Sequence, residues 1–139
     1  MRWYGTEEPI PPWKTVDEAK LDSALNAARQ AFGGVDMYPT LPEKAAVKLY
    51  SIAKAHALPN GNKRIALVTT LLFLALNGKW WDAESEEVRA HVTWIAASDA
   101  RHRDKVLAYM TAYLETRCAS FEDVMARTAA NAQNNPRET

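Results

Sequence analysis

Apolar residues recur at helical spacing along most of the chain. Ala45, Ala46, Leu49, Ile52 and Ala53 form one such stripe. It follows Thr40-Leu-Pro-Glu43, where a threonine with a glutamate three residues on satisfies free amides at a helix start. The proline early in that turn agrees. The pattern predicts a helix ending near His56. The same capping pattern at Thr15-Val-Asp-Glu18 predicts an earlier helix running to about Ala31. After a turn at Leu58-Pro-Asn-Gly61, Asn62 to Leu76 is apolar on nearly every side, which predicts a central buried helix stopped by Asn77-Gly78. Val88 to Ala97, His102 to Thr116 and Phe121 to Ala132 are amphipathic, with Ser120 capping the last.

Gly33-Gly34 interrupts this helical pattern. Val35 to Pro39 reads as extended, because the residue before a proline is driven out of the helical region. This is a short flap, and no longer strand pattern is visible. The fold expected is an all-α, compact helical bundle around a buried central helix. A single domain spans 1–132, with 1–14 as an N-terminal extension and 133–139 as a disordered tail.

Composition narrows the functional classes. With 139 residues and 47% hydrophobic content, one domain buries a core unaided. Basic and acidic residues balance to a net charge of zero, so the bulk field that holds nucleic acid is absent. Cys118 is the single cysteine, which excludes an internal disulfide framework. The longest apolar stretch, Ile65 to Leu76, is well short of the roughly 20 residues of a membrane span. No apolar run suited to export opens the chain, and the expectation is a cytoplasmic protein with no membrane or nucleic-acid partner.

Chemistry concentrates in nine residues, His56-Ala-Leu-Pro-Asn-Gly-Asn-Lys-Arg64. Lys63 and Arg64 fall in a first helical turn, where the positive end of the helix dipole disfavours cations. A glycine turn before a helix start offers backbone amides to an anion, and the added cations favour phosphate over carboxylate. A histidine on the preceding helix is placed to take a proton from an incoming hydroxyl. The plainer alternative is a polar surface loop with a packed histidine. Cys118, the tryptophans, His91 and His102 belong to no comparable cluster and take structural roles.

The segment HALPNGNKRIAL resembles the signature of the Fic/Doc family, HxFx(D/E)GNxR, and more closely its Doc branch, in which lysine follows the asparagine. The resemblance continues upstream through FGGVDMYPTLPEKAAVKLYSIAKAH and downstream through VTTLLFLALNG. It implies a Fic-type bundle with His56 as catalytic base. It also implies that Asn60, Gly61, Asn62, Lys63 and Arg64 bind nucleotide phosphates, and that a flap of Gly34, Val35, Asp36, Met37 and Tyr38 aligns a target segment by strand-like pairing.

In this branch the resemblance implies transfer of the terminal phosphate of ATP to a threonine or serine of a target such as elongation factor Tu. The partners implied are that protein substrate and a small antitoxin encoded nearby, and the cofactors are ATP as substrate with Mg2+. Members that attach AMP carry a glycine where Lys63 stands and a second arginine where Leu67 stands. The alternatives are AMP transfer and a catalytically silent binding module. The latter is motivated by Asn60, which occupies the position of the metal-binding acid although a carboxamide is a poorer magnesium ligand. Leu58 replaces the usual phenylalanine. A helix-turn-helix reading of Asn60 to Arg64 fails because a recognition helix needs an exposed polar face.

Overall fold

The computed structural model describes residues 12–134. Residues 1–11 of the N-terminal extension and 135–139 of the tail lie outside it. Among the described residues there are six α-helices and two short two-stranded sheets.

The first helix, α1 (Glu18–Asn26), is capped by Asp17, whose carboxylate accepts from the Lys20 amide at 3.1 Å. The expected cap, Thr15, instead donates to the Pro12 carbonyl at 2.6 Å within a 3-10 turn, Trp13–Thr15. Asp17 wins because a carboxylate is at least as good a cap as a hydroxyl and lies nearer the apolar stripe. A 3-10 turn, Ala27–Arg29, ends this segment.

The flap is a hairpin of β1 (Ala31–Phe32) and β2 (Val35–Asp36), paired Ala31 to Asp36 and Phe32 to Val35. Gly33 and Gly34 form its two-residue turn at φ 58° and 79°. Such a turn needs positive φ at both central positions, which glycine adopts without steric cost. The break foreseen at these glycines is therefore a strand connection.

Helix α2 (Leu41–Ala55) begins at Thr40, whose hydroxyl accepts from the Glu43 amide at 3.2 Å. It buries Ala45, Ala46, Val47, Leu49, Tyr50, Ile52 and Ala53. It packs against α1, against α3 (Asn62–Leu76), α4 (Ser85–Ala97) and α5 (Arg103–Arg117). The central helix of the bundle is thus α2. Helix α3 buries Ala66, Leu67, Thr70, Leu71 and Leu74 but leaves Leu72 58% and Leu76 78% exposed. All-round apolarity did not mean all-round burial, because apolar side chains often remain at surfaces. The alanines of α2 let neighbouring helices approach closely, and so place it at the centre.

A second sheet pairs β3 (Lys79–Trp81) with β4 (Cys118–Ser120), Trp80 opposite Ala119. No periodicity foretold it. Trp81 is fully buried and donates its indole N–H to the Tyr113 hydroxyl at 3.1 Å, while Trp80 meets Phe121 edge to face. Both tryptophans are packing residues. Helix α6 (Phe121–Asn134) starts beside Ser120, which accepts from the Asp123 amide at 3.3 Å, and runs two residues past its expected end.

Candidate active site

Helix α2 stops at His56, whose backbone is left-handed at φ 50° and ψ 40°. It is the non-glycine residue with positive φ among those described. Histidine tolerates this region better than branched residues, at a cost of order 1–3 kcal/mol held by its surroundings. Those surroundings are firm on both sides. Lys54 donates to the Ala96 carbonyl at 3.4 Å and to the Ser98 carbonyl, fixing the last turn of α2 to the end of α4. The buried Ala57 accepts at its carbonyl from the Asp17 amide at 2.7 Å. Between these anchors the side chain of His56 is exposed to solvent.

The loop that follows is closed by Asn62. Its carboxamide oxygen accepts from the Leu58 amide at 3.0 Å, and its nitrogen donates to the Leu58 carbonyl at 2.8 Å. Two charge-neutral bonds from one side chain set the loop's width and return the chain into α3. The side chain of Asn62 is thereby committed to the loop, and its offer to an anion is its backbone amide. Gly61 is the residue before the helix, at φ 77°, and supplies no side-chain cap. No acid occupies the first turn of α3. The start of α3 therefore presents amides and positive charge: Lys63 exposed, Arg64 and Asn60 half-buried. One tight turn brings together His56, Asn60, Gly61, Asn62, Lys63 and Arg64.

The flap is anchored elsewhere. Asp36 accepts from the Lys44 ammonium at 2.5 Å and from the Tyr38 amide at 2.9 Å. These two bonds, the lysine first, hold its carboxyl below the usual carboxylate range. The Tyr38 hydroxyl accepts from the Arg103 guanidinium at 3.2 Å, and that guanidinium lies 5.7 Å from the centre of the Tyr50 ring. Val35 and Met37, two residues apart, are 70% and 52% exposed. Lys44 is in the first turns of α2 and His56 follows its last, twelve residues on, a rise of roughly 18 Å along the helix. A groove of about 520 Å3 lies between α1 and α2, reaching from Ala55 beside His56 to Gln30 beside the hairpin, with Ser23, Ser51 and Arg103 along it. Through Arg103, Tyr38 is joined to this groove, which also reaches Ala55, the neighbour of His56.

Arg103, Lys44 and the loop-closing role of Asn62 were not foreseen. Arg103 is 65 residues from Tyr38, beyond any local pattern. The four-residue offset from Leu58 to Asn62, bracketing a Pro and a Gly, was a signal that the carboxamide closes a turn.

The donor set of the turn does not fit a protein-held magnesium ion. Residues 56–64 contain no carboxylate, Asn60 offers a neutral carboxamide, and two cations stand beside it. Among the described residues no three histidine, cysteine, aspartate or glutamate side chains converge. Also among them, no helix is long and apolar enough to cross a membrane.

A family model described as Fic/DOC family matches residues 2–74. The protein Toxin Doc of Mycolicibacterium smegmatis is 42% identical over 77 residues. That alignment covers 55% of this chain and 59% of the relative, so the chain spans little more than half the length of the relative it matches. No solved structure gives a significant match.

Proposed function

From the premise that the chain belongs to the Fic/DOC family, we propose that it is a Doc-like toxin, a protein-modifying transferase that moves the terminal phosphate of ATP onto a threonine or serine of a target protein. The observation that carries this reading is the single turn joining His56, exposed at the end of α2, to the uncapped, cationic start of α3. The substrate hydroxyl oxygen attacks the γ-phosphorus and its proton passes to the His56 imidazole. The bond from that phosphorus to the bridging oxygen breaks, and ADP leaves. The amides of Asn62 to Arg64, with the Lys63 and Arg64 side chains, balance the phosphate charge.

Phosphate transfer is favoured over AMP transfer by two positions on α3. Lys63 stands where AMP-attaching members carry glycine. Leu67, where they carry a second arginine, is 2% exposed and packed in the core, which closes that position to a cation. Asn60 supports a second reading, a silent binding module, since the turn lacks an acid for the metal. An antitoxin partner is part of the toxin reading, and elongation factor Tu is the candidate target.

Intact-mass spectrometry of elongation factor Tu incubated with the protein, ATP and magnesium tests this. A gain of one phosphate, lost in His56→Ala, is the expected result. A gain of one AMP overturns the kinase reading, and ATP binding without modification of any lysate protein moves the assignment to the silent module. Arg64→Ala should abolish ATP binding.

A further inference from the structure

At the amino-terminal end of α2 lies a cavity of about 480 Å3, bounded by the 3-10 turn Ala27–Arg29, the segment after the hairpin and the last turns of α3. Pro39, Leu41 and Phe73 give it apolar walls, and Arg29, Lys44 and Lys48 bring three cations to it. Lys44 is paired with Asp36. Among the described residues neither Arg29 nor Lys48 has a carboxylate within ion-pair distance.

Lys48 is held in place all the same. Its ammonium donates to the Leu25 carbonyl at 3.1 Å and lies 5.2 Å from the centre of the Phe73 ring. Burial, then the nearby Arg29 charge, lowers its pKa, so the charged form sits at a cost that an anion would offset. Pro39, Leu41 and Phe73 beside the cations offer a surface for apolar methylenes as well as for a charge. Pro39 and Leu41, which line the cavity, follow closely in the chain on the exposed Val35 of β2 and the exposed Met37 just after it.

We propose that this cavity receives an aspartate or glutamate side chain of the protein substrate, its carboxylate meeting Arg29 and Lys48 and its methylenes lying against Phe73. The inference rests on the reading of the hairpin as the docking edge. It sets a substrate preference for an acidic residue away from the modified hydroxyl, since the cavity and His56 are at opposite ends of α2.

The test is an NMR titration of the full-length protein, without ATP, using a capped peptide of alternating glutamate and valine and its glutamine counterpart. The glutamate peptide should shift the amides of Ala31 to Tyr38 and of Lys44 to Lys48, and bind about tenfold or more tightly than the glutamine peptide. Lys48→Met, which keeps the stem against Phe73, and Arg29→Gln should each remove most of that preference while the spectrum stays dispersed. Equal binding of the two peptides, shifts confined to Gly61 to Arg64, or a preference untouched by both variants would overturn the proposal. So would free glutamate that matches the peptide's affinity. Because the readout needs neither ATP nor His56, failure of the transferase reading leaves it standing, and its own failure leaves transfer unaffected.

Discussion

Asn62 and Leu58 exchange two hydrogen bonds, so the residue that opens α3 also closes the loop between His56 and the helix. Asn62→Ala removes both partners from the half-buried Leu58 backbone. The expected loss is about 1–3 kcal/mol, the range for stranding buried polar groups. Urea unfolding measures it, and hydrogen exchange at the Leu58 amide should accelerate more than exchange in the core of α2. Transfer should fall further than stability does, because Pro59, Asn60 and Gly61 lose their frame.

His56 separates chemistry from folding. Its left-handed backbone is one glycine adopts freely, whereas alanine pays for it. His56→Gly should therefore be as stable as the parent or up to about 1 kcal/mol more so, while His56→Ala is less stable than His56→Gly. Both should lack transfer. Retained transfer in the glycine variant, measured by intact mass, would remove His56 as the base.

What was legible in the sequence had local causes. The Thr40 cap and the stripe of α2 are fixed within a few residues, and so was the density of chemistry from His56 to Arg64. The Thr15 cap misled because Asp17, two residues on, competes for the same amides. The pairing of β3 with β4 joins segments about forty residues apart, and Arg103 reaches the flap from another helix; neither leaves a local pattern. The role of α3 was overread because a helix that is apolar all round can still stand at a surface, as Leu72 and Leu76 do.

The flap should loosen in acid. Asp36 has its pKa below the ordinary 3.8 because Lys44, then the Tyr38 amide, favours the charged carboxylate. A depressed carboxyl contributes its stabilisation above the ordinary pKa and loses it as pH falls through the folded value. The Tyr38 amide should therefore hold its NMR shift from neutral pH down to about 4 and move below that. Asp36→Asn should abolish this movement and leave the amide shifted at every pH. A pH-independent shift in the parent would mean that the contact does not form in solution.

Asn60 decides whether the turn can hold a metal. It is half-buried in a turn whose residues 56–64 include two cations and no acid, and its neutral carboxamide adds no negative charge there. Asn60→Asp adds a carboxylate beside Lys63 and Arg64. Without magnesium the new charge repels the phosphates, and ATP affinity should fall by severalfold. With magnesium the carboxylate becomes an oxygen ligand, and affinity should recover to or above that of the parent. The parent itself should show little difference in ATP affinity with and without magnesium beyond that of the nucleotide's own metal complex. Calorimetric titration of both proteins with ATP, in magnesium and in chelator, reads the four affinities. A parent that requires magnesium as strongly as the variant would show that a ligand outside residues 56–64 completes the site.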